Sequence, residues 1–385
     1  MTFEALQQLT LPAAAGGGEL SLRLLRGWPV SPGQLLLNFA DPGGRLLAGQ
    51  FHGDPAALAE QRQRLEELAP GLARWRQLPA GGTLLLQPEG LDARLEAVRP
   101  FLQDSGGILL AHRPGKRAVV RGRWEGGPAY VKFHASARPW RRALAASDHL
   151  AGLGLPLAQP RVIASEERRR LIVTAPLAGV SLHERLLEGR LQPAELGPVA
   201  AALARLHAQT SSPRPELHGA LQEAEVLQRW ASLLRAHRPT LLPELESAVA
   251  VVLAGLQGLE QDPPGGFGLI HRDFHDKQIF LAASGPGLLD FDTLVLGDPL
   301  IDVANLLAHL EWRWLQGRLA RPLAAACAQA FLQGYGAVSD EARLQLYVDA
   351  TRLRRACVYG FRPRGLQLGQ TVLPRLGWPV CAATA

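Results

Sequence analysis

The chain has 385 residues, a formal net charge of +6 and 47% hydrophobic residues. This length predicts two or three structural units, and no apolar run reaches the roughly 18 residues of a membrane helix. Cys327, Cys357 and Cys381 are odd in number and widely spaced, which argues against a disulfide framework or a zinc site. The arginines are dispersed and no basic-apolar leader is present, so we expect a cytoplasmic protein without a nucleic acid partner.

Residues 1–104 predict a small α+β module. The segments "ELSLRLLRGW", "QLLLNFA", "RLLAGQFHG" and "TLLLQ" have strand composition, and a "DPGG" turn joins the second to the third. A helix is expected from Asp54, with one apolar face that comprises Leu58, Leu65, Leu68, Leu72 and Trp75. A second helix is expected over "LDARLEAVRPFL". The module has no catalytic cluster, and we expect it to be a cap that docks on the unit after it.

Residues 105–178 predict a small β-rich lobe, in which "ILLAH", "RAVVRGR", "AYVKF" and "RLIVTA" are strands around one helix. Residues 179–385 predict a mainly helical lobe. Its helices are expected near 193–209, 222–237, 243–260, 299–316, 320–336 and 339–358. They should enclose a β-hairpin over "IFLAA" and "GLLDFD".

A polar octet, "HRDFHDKQ" at 271–278, precedes this hairpin and follows the short apolar strand "FGLI". Asp273 therefore lies on a loop, Gln278 follows five residues later, and Asp290 lies on the next strand. Phosphoryl transfer needs one carboxylate to accept the proton of a hydroxyl group and another to hold Mg²⁺. The octet and Asp290 thus predict a kinase catalytic centre.

At these residues the chain resembles the aminoglycoside phosphotransferase and choline kinase superfamily, whose usual pattern is His-Gly-Asp-x-His-x-x-Asn followed by Ile-Asp-Trp/Phe. "LGDPLIDVANLLAHL" at 296–310 is similar to that family's next helix. The resemblance implies an α+β, bilobal protein-kinase-like fold that uses ATP and Mg²⁺. It implies that Asp273 is the catalytic base, that Asp290 and Gln278 hold the metal, and that His275 lies near the acceptor.

The helix over 296–310 has a physical interpretation of its own. Asp298 and Pro299 are typical of a helix start, at the N-cap and the first helical position. Asp302 lies one turn further on, where we expect it to brace the catalytic loop. The glutamine at 278 and the additional N-terminal module also resemble maltokinase-type members of the superfamily, which favours a sugar as the acceptor.

The nucleotide side is predicted from further residues. The chain has only three lysines, Lys116, Lys132 and Lys277, among 41 Lys+Arg. Lys132, in "AYVKF", resembles the phosphate-pairing lysine of the third kinase strand. Lys116 lies in a Pro-Gly turn where kinases have a phosphate-covering loop. By the same resemblance Asp148 would pair with Lys132, and Thr174, Ala175 and Leu177 would surround adenine.

Three functions are compatible with these motifs. The first is an ATP-dependent kinase for the hydroxyl group of a sugar, aminoglycoside or amino alcohol. The second is a nucleotide-binding regulator with weak or no kinase activity. The third, a protein kinase, is disfavoured because residues 293–297 leave no room for an activation segment between "DFD" and Asp298.

Overall fold

A six-stranded antiparallel sheet forms most of the N-terminal module. The computed structural model describes residues 6, 8–12, 19–78, 81–239, 243–338, 340–363 and 375–376. The strands are β1 (Gln8–Pro12), β2 (Glu19–Ser31), β3 (Gln34–Ala40), β4 (Leu46–His52), β5 (Arg74–Gln77) and β6 (Thr83–Gln87). They lie in the order β1-β2-β3-β4-β6-β5, with helix α1 (Ala59–Leu68) between β4 and β5. The four predicted strands are confirmed.

Two predictions about helices in this module are wrong in part. Helix α1 ends at Leu68, and Leu72 and Trp75 lie outside it with 42% and 49% of their surface exposed. The expected helix from Leu91 begins only at Val98, as α2 (Val98–Ser105). The carboxylate of Asp92 accepts hydrogen bonds from the backbone of Arg94 and, 23 residues away, of Gly115. Because these bonds stabilise a turn, the helix begins later.

The small lobe is a five-stranded sheet, β10-β11-β9-β8-β7, covered by one long helix. Its elements are β7 (Ile108–Arg113), β8 (Arg117–Trp124), β9 (Gly127–His134), α3 (Ala137–Gly152), β10 (Val162–Glu166) and β11 (Leu171–Thr174). Strand β10 was not predicted. Residues 95–102, which the division at residue 104 assigns to the module, pack into the apolar core of this lobe.

In this sheet Lys132 pairs with Val119 on one neighbouring strand and with Ile172 on the other. Directly paired residues of antiparallel strands project to the same face. One face of the sheet therefore carries Lys132, and the alternate positions, such as Val120 and Val131, fill the core on the other face.

The large lobe is helical, as predicted, around two small sheets. The helices are α4 (Leu182–Leu187), α5 (Leu196–His207), α6 (Ala220–His237), α7 (Pro243–Gly258), α8 (Leu300–Leu315), α9 (Arg321–Tyr335) and α10 (Glu341–Tyr359). The strands are β12 (Val180–Ser181), β13 (Leu217–His218), β14 (Gly268–Ile270), β15 (Ile279–Ala282), β16 (Gly285–Leu288) and β17 (Val295–Gly297). The six predicted helices and the β15–β16 hairpin are confirmed.

The N-terminal module contacts both lobes, and not only the smaller one as expected. The backbone N–H of Gly27 in β2 donates to the carbonyl of Phe361, after α10, at 2.8 Å. His237, at the end of α6, lies 2.9 Å from the carbonyl of Ser31. Leu22 and Leu24 belong to the same continuous apolar core as the helices of the large lobe. The module is thus built into the large lobe.

Cys327 and Cys357 are buried free thiols, and Cys381 lies outside the described residues. In the described part of the chain no helix is both long and apolar enough to cross a membrane.

Candidate active site

The catalytic loop, residues 271–278, connects β14 to β15 and is held from below by Asp302 in α8. The carboxylate of Asp302 accepts hydrogen bonds from the backbone N–H groups of His271 at 2.6 Å and Arg272 at 2.7 Å. Arg272 adopts a φ of +70°, a left-handed conformation that a non-glycine residue keeps only where its surroundings fix it. The expectation that Asp302 braces this loop is confirmed.

Asp302 is fully buried and is supported in turn by His207 at the end of α5. The Nε2 atom of His207 lies 3.2 Å from the carboxylate, and its Nδ1 atom lies 2.7 Å from the hydroxyl of Tyr335. Burial raises the pKa of Asp302, but His207 and His271 lower it, and the net shift is downward. The brace is therefore an ionised carboxylate at neutral pH.

Asp273 follows the braced residues, and its side chain is 55% exposed. Its backbone N–H donates to Nδ1 of His271 at 3.2 Å, and Nε2 of that ring lies 2.8 Å from the carbonyl of Leu289. His271 thus connects the loop that carries Asp273 to the strand that leads to Asp290. The two carboxylates are on separate segments, and one buried imidazole relates their positions.

Asp290 lies directly after β16 with a φ of +61°, and it is the centre of a compact ion cluster. The ammonium group of Lys132 lies 2.8 Å from Asp290 and 2.5 Å from Asp292, and Arg117 lies 3.1 Å from Asp292. Burial raises the pKa of Asp290, but Lys132 and Arg117 outweigh it and hold that pKa well below its usual range. Asp290 is therefore ionised.

Asp290 and Gln278 supply oxygen atoms that suit a hard cation. Mg²⁺ prefers carboxylate, amide and water oxygens. Among the described residues, no hydrogen bond engages the side-chain amide of Gln278, although its backbone pairs with His275 and Leu289. Gln278 and Asp290 both line the two cavities that meet at this point. The donor set fits a magnesium ion between these cavities.

The first cavity, of about 370 Å³, lies between the small-lobe sheet and the β15–β16 hairpin. Thr174, Ala175 and Leu177 line it, as does Lys132. Leu177 packs over Gly287, where a Cβ atom would lie 2.9 Å from the leucine methyl group. The backbone N–H of Ala175 donates to the carbonyl of Arg161 at 2.9 Å. The predicted hinge residues therefore meet the predicted phosphate-binding lysine in one cavity.

Two predicted residues are not in this group. Asp148 is exposed on α3, while Ala143 and Ser147 present the face of that helix that lines the cavity. No ion pair within the described ranges joins Asp148 to Lys132, whose partners are Asp290 and Asp292. Lys116 is exposed at the turn between β7 and β8 and lies outside both cavities.

His275 stacks on the imidazole of His309, with 4.3 Å between the ring centroids. Its Nε2 atom lies 3.6 Å from the carboxylate of Asp273. Nitrogen and oxygen atoms of His275, Asp276 and His309 lie within 4.8 Å of one another. However, Arg313 donates two hydrogen bonds to Asp276, at 2.9 and 3.1 Å. A cation already neutralises this carboxylate, so we interpret the cluster as support for the loop and not as a metal site.

The second cavity, of about 690 Å³, contains Asp273 and was not predicted. Residues of all three units form its wall, among them Arg26 and Trp28 of β2, Arg113 of β7, and Tyr359 of α10. Arg117 was also missed, although the alternation of β8 places it on the same face as Val119, which pairs with Lys132. That alternation was the available signal. No comparable signal marks Arg26.

Comparisons with known proteins agree with this geometry. The family model described as "Phosphotransferase enzyme family" matches residues 114–347, which is more than half of the chain. No curated protein matches the chain.

Several solved structures share the fold. A choline/ethanolamine kinase family protein from Mesorhizobium loti has 16% sequence identity and a TM-score of 0.50, over 74% of this chain and 92% of that chain. The amicoumacin kinase hAmiN, solved with AMP-PNP, Ca²⁺ and Ami, has 17% identity and a TM-score of 0.50, over 72% of this chain and 90% of that chain. An aminoglycoside phosphotransferase from Streptomyces rimosus, solved with ADP and streptomycin, has 21% identity and a TM-score of 0.47, over 68% and 98%. The predicted bilobal kinase-like fold is confirmed.

Proposed function

The chain belongs to the phosphotransferase enzyme family and is a small-molecule kinase, and on this premise we propose that it transfers the γ-phosphoryl group of ATP to a hydroxyl group of a small acceptor, with Asp273 as the catalytic base. One observation carries the proposal. The cavity that contains Asp273 and the cavity that contains Lys132 share Arg117, Gln278 and Asp290 as a common wall. An acceptor in one cavity and a nucleotide in the other would meet there.

The reaction is a displacement at phosphorus. The acceptor oxygen forms a bond to the γ-phosphorus atom, the bond from that atom to the bridging oxygen of ADP breaks, and ADP leaves with the electron pair. Asp273 accepts the proton of the hydroxyl group. Its exposed carboxylate on a rigid loop suits this role, because a general base must reach the proton that it removes.

The nucleotide side is assigned to the first cavity. Thr174, Ala175 and Leu177 would surround the base, and Lys132 and Arg117 would contact the phosphates. Asp290, with Gln278 as a second ligand, would hold Mg²⁺. When bound, the ion neutralises phosphate charge and orients the transferred group. The structure of hAmiN with AMP-PNP, which shares this fold, supports nucleotide binding here.

The test is the variant Asp273→Asn, with Asp104→Asn as a matched control. Asp104 is an exposed carboxylate on α2, outside both cavities. We expect acceptor-dependent ADP release to fall by ~10²–10⁴ in Asp273→Asn, the usual contribution of a general base. The affinity for Mg·ATP should stay within about twofold, since Asp273 does not line the nucleotide cavity.

Calorimetric titration of nucleotide and a coupled assay of ADP release provide the two measurements. Unchanged turnover in Asp273→Asn would contradict the assignment of the base. A wild-type protein that binds nucleotide but releases no ADP with any acceptor would instead favour the regulator.

A further inference from the structure

The cavity around Asp273, here called the acceptor cavity, has a large excess of positive charge. Its wall includes only two acidic residues, Asp273 and Asp290. The cationic residues of the wall are Arg26, Arg113, Arg117, Arg272, Lys277, Arg313, Arg354, Arg355 and Arg362. A concave site that is lined by one sign of charge concentrates ligands of the opposite sign.

Some of these cations are neutralised inside the protein. Arg117 pairs with Asp292, Arg313 with Asp276, and Arg354 with Glu223 at 3.2 Å. These three arginines stabilise the structure around the cavity, and their charge does not need a ligand.

Four others have no such partner. Arg26, Arg113, Arg355 and Arg362 form no ion pair with an acid among the residues that the structure describes. Three of them lie over aromatic rings: Arg26 is 4.6 Å from the centroid of Trp28, and Arg355 and Arg362 are 5.5 and 4.1 Å from that of Tyr359. The Nε atoms of Arg113, Arg355 and Arg362 are buried without a hydrogen-bond partner. Aromatic faces position a guanidinium but do not cancel its charge.

The titration of this group reflects the uncompensated charge. Burial, followed by repulsion from Arg362 and Arg113, lowers the pKa of Arg26 to about 9. Burial raises the pKa of Tyr359, but Arg355, Arg362 and Arg313 lower it to about 8. Arg26 and Arg362 therefore face the same space, although 336 residues separate them in the chain.

These cations are not placed to bind the nucleotide. Arg26, Arg355 and Arg362 line the acceptor cavity and not the nucleotide cavity, where Lys132 and Arg117 supply the positive charge. The unneutralised charge is thus on the acceptor side of the common wall.

We propose that the acceptor is itself an oxyanion, a hydroxylated small molecule that carries a phosphate or carboxylate group, and that Arg26, Arg355 and Arg362 bind this group while its hydroxyl lies at Asp273. The inference rests on the proposed kinase function and narrows its substrate class. Guanidinium groups bind phosphate and carboxylate in a bidentate manner. Aminoglycosides and amino alcohols carry ammonium groups, which this cavity would repel.

The full-length protein, saturated with AMP-PNP and Mg²⁺, is titrated calorimetrically with four probes: glucose 6-phosphate, glucuronate, glucose and an aminoglycoside, with inorganic phosphate as the minimal anion. We expect the anions to bind at least ~10-fold more tightly than glucose, and the aminoglycoside to bind no better than glucose. The first two probes distinguish phosphate from carboxylate.

The variants Arg26→Gln and Arg362→Gln should each weaken anion binding by about 10–100-fold, the usual effect of losing a charged hydrogen bond. The affinity for AMP-PNP should not change, which also shows that the variants fold. Arg205→Gln, at an exposed arginine outside both cavities, is the control and should bind every probe as the wild type does. If no anionic probe binds, or if the two variants bind anions as well as Arg205→Gln does, the inference is overturned.

Acceptor-dependent ADP release separates this inference from the kinase proposal. If neutral or cationic acceptors are phosphorylated faster than anionic ones, the kinase function stands and the anionic acceptor is refuted. If anions bind in an arginine-dependent manner but no acceptor raises ADP release, the anion site stands and the kinase function fails.

Discussion

Asp302 offers a test of how the catalytic loop is held, because it contacts no cavity and acts only through the backbone of His271 and Arg272. The substitution Asp302→Asn keeps the size of the side chain and one carbonyl oxygen. It replaces the other oxygen with an NH₂ group, which then faces a backbone N–H donor at a distance that is 2.6 or 2.7 Å in the wild type. Two donors in contact cannot form a hydrogen bond.

The expected cost follows from these bonds. A hydrogen bond to a charged group contributes about 1.5–3 kcal/mol. The variant loses one such bond and the charge that strengthens the other, so the free energy of unfolding should fall by about 3 kcal/mol. This corresponds to roughly 6 °C in the melting temperature for a chain of this size. Displacement of Asp273 should lower kcat by about 10²-fold, since misplacement by about 1 Å can have that effect.

The pH dependence gives the sign. The pKa of Asp302 is lowered in the folded state, so its ionised form adds stability above the unfolded pKa of about 3.9, and this contribution is lost as the pH falls toward the folded pKa. The difference in melting temperature between the wild type and Asp302→Asn should therefore be full at pH 6 to 7 and shrink below about pH 4.

Differential scanning calorimetry between pH 3 and 7, together with the ADP-release assay, measures both effects. Asp104→Asn serves again as the exposed control and should match the wild type within about 0.5 kcal/mol. A variant as stable and as active as the wild type would refute the idea that Asp302 fixes the loop. Lost stability with unchanged kcat would show that Asp273 is positioned by other contacts.

Two predictions concern the metal ligands. Asp290→Ala should abolish the magnesium dependence of nucleotide binding, because the carboxylate that would hold the ion is gone; calorimetry at increasing Mg²⁺ measures this, and unchanged Mg·ATP affinity would mean that another residue holds the metal. Gln278→Asn should preserve or modestly improve turnover at limiting Mg²⁺, since the shorter amide loses less side-chain freedom on binding; a collapse of activity would reveal a specific role for Gln278.

The parts of the site that are contiguous in sequence could be predicted. The octet at 271–278, the hairpin and Asp302 lie within 32 residues of one another, and their relative positions follow from local geometry: a strand, a tight loop, a hairpin and one helical turn. The two hydrogen bonds from the loop to Asp302 are the three-dimensional form of that spacing.

The partner of Lys132 could not be predicted, because it depends on the rotation of α3. Successive residues of a helix are displaced by about 100°, so a shift of one position moves a side chain from the cavity to solvent. Burial of Trp140, Ala146 and Leu150 against the sheet turns Ser147 toward the cavity and leaves Asp148 exposed. Asp292, in the position where protein kinases have glycine, takes the place of the expected acid at 2.5 Å from the lysine.

The acceptor cavity was missed for a different reason, since its arginines belong to elements that only tertiary structure brings together. Arg26 is on the first long strand and Arg362 follows the last helix. The backbone bond from Gly27 to Phe361 joins their immediate neighbours, so the contact that docks the N-terminal module also brings the two guanidinium groups to one wall. A cap that served only for stability would need apolar contacts such as those of Leu22 and Leu24. A partly buried arginine without an acidic partner is costly for stability, and its position in the wall beside Asp273 argues that the module helps to select the acceptor.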